Sequence, residues 1–195
     1  MPKQVDFYYD YGSPTAYLAW TQLPALCKRY EANLNYHPVL LGGVFKATGN
    51  STPVLIEPKG KWLFRDIERH ADHYGVPYKM NPFFIINSMT MMRGAVWAQN
   101  NGVLEVYNQA MYEATWVNGL NTSKPDVIAS VMHEAKLDAV AMQQAVTDDA
   151  IKKQLIDATG DAVDRGVFGA PTMIVDGELY FGQDRLDWVE RQLAQ

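Results

Sequence analysis

The chain has 195 residues, 48% of them apolar, one cysteine, and a formal net charge of −5 at pH 7. That length suits one domain, or one domain with a sizeable insertion, and it can bury a core without disulfide staples. The excess of acidic over basic residues, with no Lys/Arg cluster, argues against a nucleic-acid partner. No run approaches the ~18 apolar residues of a membrane span, so no membrane is expected. The opening MPKQVDFYYD lacks the apolar core of a signal peptide, and Cys27 has no second cysteine to bond with. Both features lead us to expect a soluble, cytoplasmic protein.

In chain order, residues 5–10 alternate and are β-rich, which predicts a strand. A tight turn then leads into a helix over 15–30, with Ala16, Ala19/Trp20, Leu23, Leu26/Cys27 and Tyr30 at helical spacing. Pro24 is expected to kink it. Residues 33–40 read as a second strand, parallel to the first through the crossover helix. Residues 42–60 read as loop because Gly42, Gly43, Gly49, Pro53, Pro58 and Gly60 punctuate them. Helices are predicted over 61–74, 88–99, 103–116, 126–135 and 148–165, with Gly75 and Gly166 as stops. The β signal returns at 172–175, turns at Asp176-Gly177 and runs back over 178–181, before a last helix at 183–193.

Strand, helix, strand, helical insertion, hairpin and final helix is the order of the thioredoxin fold, with the insertion where DsbA-like proteins carry one. The fold class is therefore α/β, with a thioredoxin-like domain over 1–41 and 167–195. A connecting loop and an all-helical insertion domain occupy 42–166. The segment GAPT at residues 169–172 resembles the fold's cis-proline segment. Where a redox Cys-x-x-Cys pair would begin the first helix, this chain has Ser13-Pro14-Thr15-Ala16, so disulfide exchange is not possible there. DYGSPTAYLA, Gly49-Asn50, PKG at 58–60, GAPT and FGQDRL at 181–186 together resemble the kappa-class glutathione transferases and the 2-hydroxychromene-2-carboxylate isomerases. These motifs keep the family's order and spacing over nearly the whole chain.

Ser13 has two readings. Followed by Pro14, it is a good helix N-cap, since its hydroxyl satisfies an orphan N–H. The same hydroxyl, at the positive end of a helix dipole, can also donate to an anion. The resemblance implies that the anion is the thiolate of glutathione, which makes Ser13 the catalytic residue as a thiolate stabiliser.

The resemblance also implies a binding set for the cofactor. The backbone of Ala170 beside a cis Pro171 would pair with the cysteinyl part of glutathione, as an added strand does. Gln183, Asp184 and Arg185 would receive the γ-glutamyl end, with Asp184 accepting from the ammonium. Asn50 and Lys59 would reach in from the loop, Lys59 toward the glycyl carboxylate. Each has a plainer reading: Pro171 as a tight turn, Asp184 as a first-turn carboxylate, Lys59 as a solvated cation.

For an aromatic or carboxylate substrate, the isomerases direct basic residues from the region of Val44 to Ala47. Phe45 stands near one such position here, Lys46 is an approximate substitute, and Arg93 is a further candidate. Trp116 is expected either to border this second pocket or to anchor the core. His70 and His73 lack a completing ligand set, so no metal is expected. Met89, Met91 and Met92 read as core or pocket filler, and Cys27 as a small buried residue.

The reading expected from the resemblance is a glutathione-dependent isomerase, in which the thiolate adds to the conjugated substrate and is eliminated after bond rotation. The alternatives are a kappa-like transferase or peroxidase and, from another class, a redox-inactive peptide-binding module. The family further implies aromatic catabolism and a homodimer.

Overall fold

The computed structural model describes residues 2–195. Strand β1 (Gln4–Tyr9) lies inside a four-stranded sheet. Its alternation sends Val5, Phe7 and Tyr9 into one apolar core and Tyr8 into a second, smaller one on the opposite face. Helix α1 (Pro14–Arg29) starts at Ser13, with Pro14 where a missing N–H costs nothing, and ends on Lys28 and Arg29, which suit the negative end of the dipole. It returns the chain to β2 (Asn33–Pro38), which pairs parallel with β1. Strands β3 (Thr172–Val175) and β4 (Glu178–Phe181) form a hairpin, and β3 lies antiparallel on the other side of β1. The order β2-β1-β3-β4 is the thioredoxin arrangement expected from the elements.

Between the halves lie α2 (Leu41–Thr48), a 3-10 turn at Pro53–Leu55, and α3 (Glu57–Tyr74). They are followed by α4 (Met89–Asn100), α5 (Leu104–Trp116), α6 (Pro125–Glu134), α7 (Ala139–Ala145) and α8 (Asp149–Asp164). A 3-10 turn at Gln183–Arg185 precedes the closing helix α9 (Leu186–Leu193).

The loop expected over 42–60 is largely helical. Its glycines and prolines sit where a helix tolerates or needs them. Gly43 packs so tightly on α8 that an added Cβ would lie 3.2 Å from Thr159 Cγ2. Gly49 is the left-handed stop of α2, with φ 72°. Pro58 falls in the first turn of α3, and Gly60 lets that helix close on Val54, whose Cα would stand 3.2 Å from a Cβ there. Helix α7 escaped prediction altogether, although Asp138 caps it by accepting from the Ala141 N–H at 2.9 Å. The single helix expected over 183–193 is instead a 3-10 turn that passes into α9.

The insertion is locked to the sheet through buried aromatics. Tyr9 and Tyr11 both donate to Asn108 Oδ1 on α5, at 2.9 and 2.6 Å. The rings of Tyr9, Tyr11, Tyr107 and Tyr112 pack edge-on or tilted around that point, and burying each such ring is worth about 1.5–3 kcal/mol. This junction lies directly behind the turn that carries Ser13.

Candidate active site

The site is built where β1 ends. Asp10, fully buried, accepts from the Gly12 N–H through Oδ1 and from the Leu41 N–H through Oδ2, both at 2.8 Å. Gly12 leads into Ser13, and Leu41 opens α2, which has no cap from its own Leu40 side chain. One carboxylate therefore fixes both walls of the cleft. Burial pushes the Asp10 carboxyl above its ordinary value, against the pull of hydrogen bonds from Leu41, Ser88 and Gly12.

Ser13 is 5% exposed, and its hydroxyl does two things at once. Its oxygen accepts from the Ala16 N–H at 3.2 Å, which is the helix cap. Its proton is directed at the Ala170 carbonyl, 3.0 Å away across the cleft. Thr15 Oγ1 lies 3.0 Å from Ser13 Oγ and 3.4 Å from the same carbonyl. Capping uses a lone pair and anion binding uses the proton, so the two readings of Ser13 are compatible. Of the first-turn amides, Pro14 has none and Ala16 is capped, while Tyr17 bonds back to Ser13 at 3.1 Å. The Thr15 N–H has no partner within the helix ladder and belongs to the helix end that carries roughly half a positive charge.

The cleft encloses about 340 Å³. The Ala170–Pro171 bond is cis, as the motif led us to expect, and both residues form one edge. Asn50 closes that edge by donating to the Phe168 carbonyl at 2.8 Å, and Phe168 packs on Phe181 with ring centres 4.6 Å apart. At the far end Gly182, at φ 104°, turns the chain into Gln183, Asp184 and Arg185. Tyr74 holds this turn by donating to the Gln183 carbonyl at 2.9 Å, and Asp184 pairs with Arg185 at 3.0 Å.

Of the residues singled out in the sequence, Ser13, Phe45, Asn50, Ala170, Pro171, Gln183, Asp184 and Arg185 all line this cleft. Four do not. Lys59 is exposed in the first turn of α3. Lys46 is one residue on from Phe45 and so is rotated about 100° away from the cleft wall. Arg93 faces a separate cavity behind α2. Trp116 is fully buried in the core, donating from Nε1 to the Tyr11 carbonyl at 2.7 Å, so it supports the turn from behind.

Sequence reading missed Thr15, Leu41, Trp62, Leu63, Asp66 and Phe84 as cleft residues. The Thr15 hydroxyl beside Ser13 was a usable signal. The spacing of Trp62 and Asp66, four apart on α3, became one only with the helix phase in hand. Among the described residues no group of three or more His, Cys, Asp or Glu is placed to hold a metal. Cys27 is buried, and that burial pushes its thiol up to about 11, so it is no nucleophile.

Comparison with known proteins places the chain in a family. Residues 4–194 match the family model described as the DSBA-like thioredoxin domain. A 2-hydroxychromene-2-carboxylate isomerase of Sphingobium xenophagum is 33% identical over 195 residues, covering 99% of each chain. Glutathione S-transferase kappa 1 of Homo sapiens is 26% identical, covering 100% of this chain and 92% of its own. A solved structure of a 2-hydroxychromene-2-carboxylate isomerase superposes with a TM-score of 0.89 at 28% identity, over 98% of this chain and 94% of that one.

Proposed function

From the DSBA-like thioredoxin domain family, to which the chain belongs, we propose a glutathione-dependent isomerase resembling the 2-hydroxychromene-2-carboxylate isomerases. The observation that carries this reading is the juxtaposition of Ser13 and Ala170. A hydroxyl at a helix N-terminus faces the backbone edge before a cis-proline, and among the described residues no cysteine lines the cleft, Cys27 being buried elsewhere.

The residues present fit glutathione. The Ser13 hydroxyl stands at the N-terminus of α1 on the wall of the cleft, where a thiolate would be favoured, with Thr15 Oγ1 3.0 Å behind it. The Ala170 edge suits an extended peptide, and Asp184 with Arg185 offers the paired charges that an amino-acid end needs. When bound, glutathione would supply the thiolate that adds to the conjugated substrate and leaves again, so no electrons are gained or lost overall. Ser13 would release the Ala170 carbonyl and turn its proton to the sulfur, while Thr15, 3.4 Å from that carbonyl, takes it over. Together with the helix end, this lowers a thiol pKa of about 8.5 toward neutrality. Phe45, Trp62 and Phe84 give the cleft the flat apolar walls that an aromatic substrate calls for.

A kappa-like transferase or peroxidase is the second reading, and one observation favours it. Among the described residues, Arg185 is the only basic side chain lining the cleft, and it is already paired with Asp184, which leaves no free cation there for a substrate carboxylate. A role in aromatic catabolism, a cytoplasmic location and a homodimer are further parts of this proposal.

The test is calorimetric titration with glutathione, followed by thiolate absorbance against pH, and then turnover of 2-hydroxychromene-2-carboxylate with and without glutathione. Binding with a depressed thiol pKa and glutathione-dependent isomerisation are expected. Binding without isomerisation selects the transferase, and no binding of glutathione leaves the peptide-binding module.

A further inference from the structure

Behind α2 lies a second cavity, of about 330 Å³, enclosed by α2, α4 and α8. Helix α2 is the partition between the two spaces. Leu41 and Phe45 face the cleft of Ser13, while Gly43 and Ala47 face the other way. The walls of the second cavity are apolar, formed by Leu40, Met89, Leu155 and Val163 with the exposed Ile156 at the rim. Two glycines shape it, in opposite ways. Gly43 closes on Thr159, and Gly160 of α8 opens onto space, with nothing within 4 Å of where its Cβ would stand.

Two cations line this apolar space, and they differ. Lys152 is paired with Asp149 at 2.8 Å. Arg93 is half-buried, meets no carboxylate among the described residues, and uses one N–H, from Nη1 to the Val146 carbonyl at 3.2 Å. A guanidinium has five donors in a planar fork that matches a carboxylate. Beside an apolar wall, and with no carboxylate of the described residues on it, such a fork is suited to the carboxylate of a bound acid. The volume falls at the lower end of the range for small-ligand sites, which are apolar with a few fixed polar groups.

We propose that this cavity is a second ligand site, separate from the Ser13 cleft, for a small monoanionic carboxylate with an apolar body. The carboxylate lies on Arg93, and the apolar body fills the space beside Gly160 and Ala47. Because α2 carries residues of both sites, occupancy here bears on the helix that also forms the cleft wall.

The test uses 1-naphthoate as probe and 1-naphthalenemethanol as its uncharged counterpart, in calorimetry with the full chain. Saturable 1:1 binding of the acid is expected, with the alcohol at least tenfold weaker. Arg93→Gln should weaken the acid at least tenfold, and Arg93→Lys should restore part of the loss. Gly160→Leu, which fills the hollow without touching any charge, should abolish binding while circular dichroism shows the helices intact. Equal binding of acid and alcohol, or binding indifferent to Gly160→Leu, overturns the proposal. So does an absence of binding joined to a dimer, seen in sedimentation, that Gly160→Leu breaks, since the face would then be a subunit contact.

Discussion

Ser13 and Ala170, 157 positions apart, meet through a 3.0 Å hydrogen bond that spans the cleft. The bond joins the start of α1 to the cis-proline edge, and the Ser13 oxygen caps the helix at the same time. Ser13→Ala should therefore cost about 1–2 kcal/mol of stability through the lost cap and bridge. It should also raise the pKa of a bound glutathione thiol by about one to two units, the value of a charged hydrogen bond of ~1.5–3 kcal/mol. A melting curve and a pH titration of the bound thiol, measured on one variant, separate these effects. A thiol pKa that does not move would leave Ser13 as a cap alone.

Asp10 anchors the turn before Ser13 and the first residue of α2. Asp10→Ala takes the acceptor from the half-buried Gly12 and Leu41 amides, each costing about 1 kcal/mol or more. Asp10→Asn keeps one acceptor and should cost about half as much. Urea denaturation reads the stability, and the glutathione affinity should fall with it, because both cleft walls lose their common anchor.

Gly169 has no room for a side chain, since a Cβ there would lie 2.7 Å from Phe181 Cε2. Phe181 is 41% exposed, so its ring can swing aside. Gly169→Ala should accordingly leave stability within about 0.5 kcal/mol of wild type yet weaken glutathione several-fold by rearranging the cleft rim. Adding Phe181→Ala should restore part of that affinity. Calorimetry on the single and double variants decides it.

Asp6, on the outer face of the sheet, is partly buried, which would raise its pKa. Hydrogen bonds from Asn35, Arg165 and His37 prevail and hold it below its ordinary value. A carboxylate depressed in the folded state stabilises the fold above its unfolded pKa of about 3.9, and that contribution disappears as pH falls through the lower folded value. Asp6→Asn should cost up to about 2 kcal/mol at neutral pH. Its melting temperature should converge on that of wild type in acid below about pH 4. A gap that persists unchanged in acid would mean that packing, not charge, explains the loss.

The local signals that survive in one dimension were enough for the frame of this protein. Alternation in β1, the Ser-Pro start of α1, the Asp-Gly hairpin turn and the GAPT segment each report a backbone preference within a few residues, and together they order the thioredoxin fold. The same local logic misread residues 42–60, because glycine and proline carry opposite meanings depending on contact. Gly43 and Gly60 are there for close packing against Thr159 and Val54, partners that no local window contains. Charge had the same ambiguity. Lys46, Lys59 and Arg93 were all reasonable candidates to meet a carboxylate, and helix phase alone sends Lys46 away from the cleft and Arg93 to the far side of α2. Trp116 likewise went to the core, where its N–H satisfies the Tyr11 carbonyl that the turn would otherwise leave buried and unpaired. Residue types and short spacings thus determined the chemistry available. Which groups face one another across a cleft was decided by long-range packing, because a side chain's direction depends on the rotation of the whole helix that carries it.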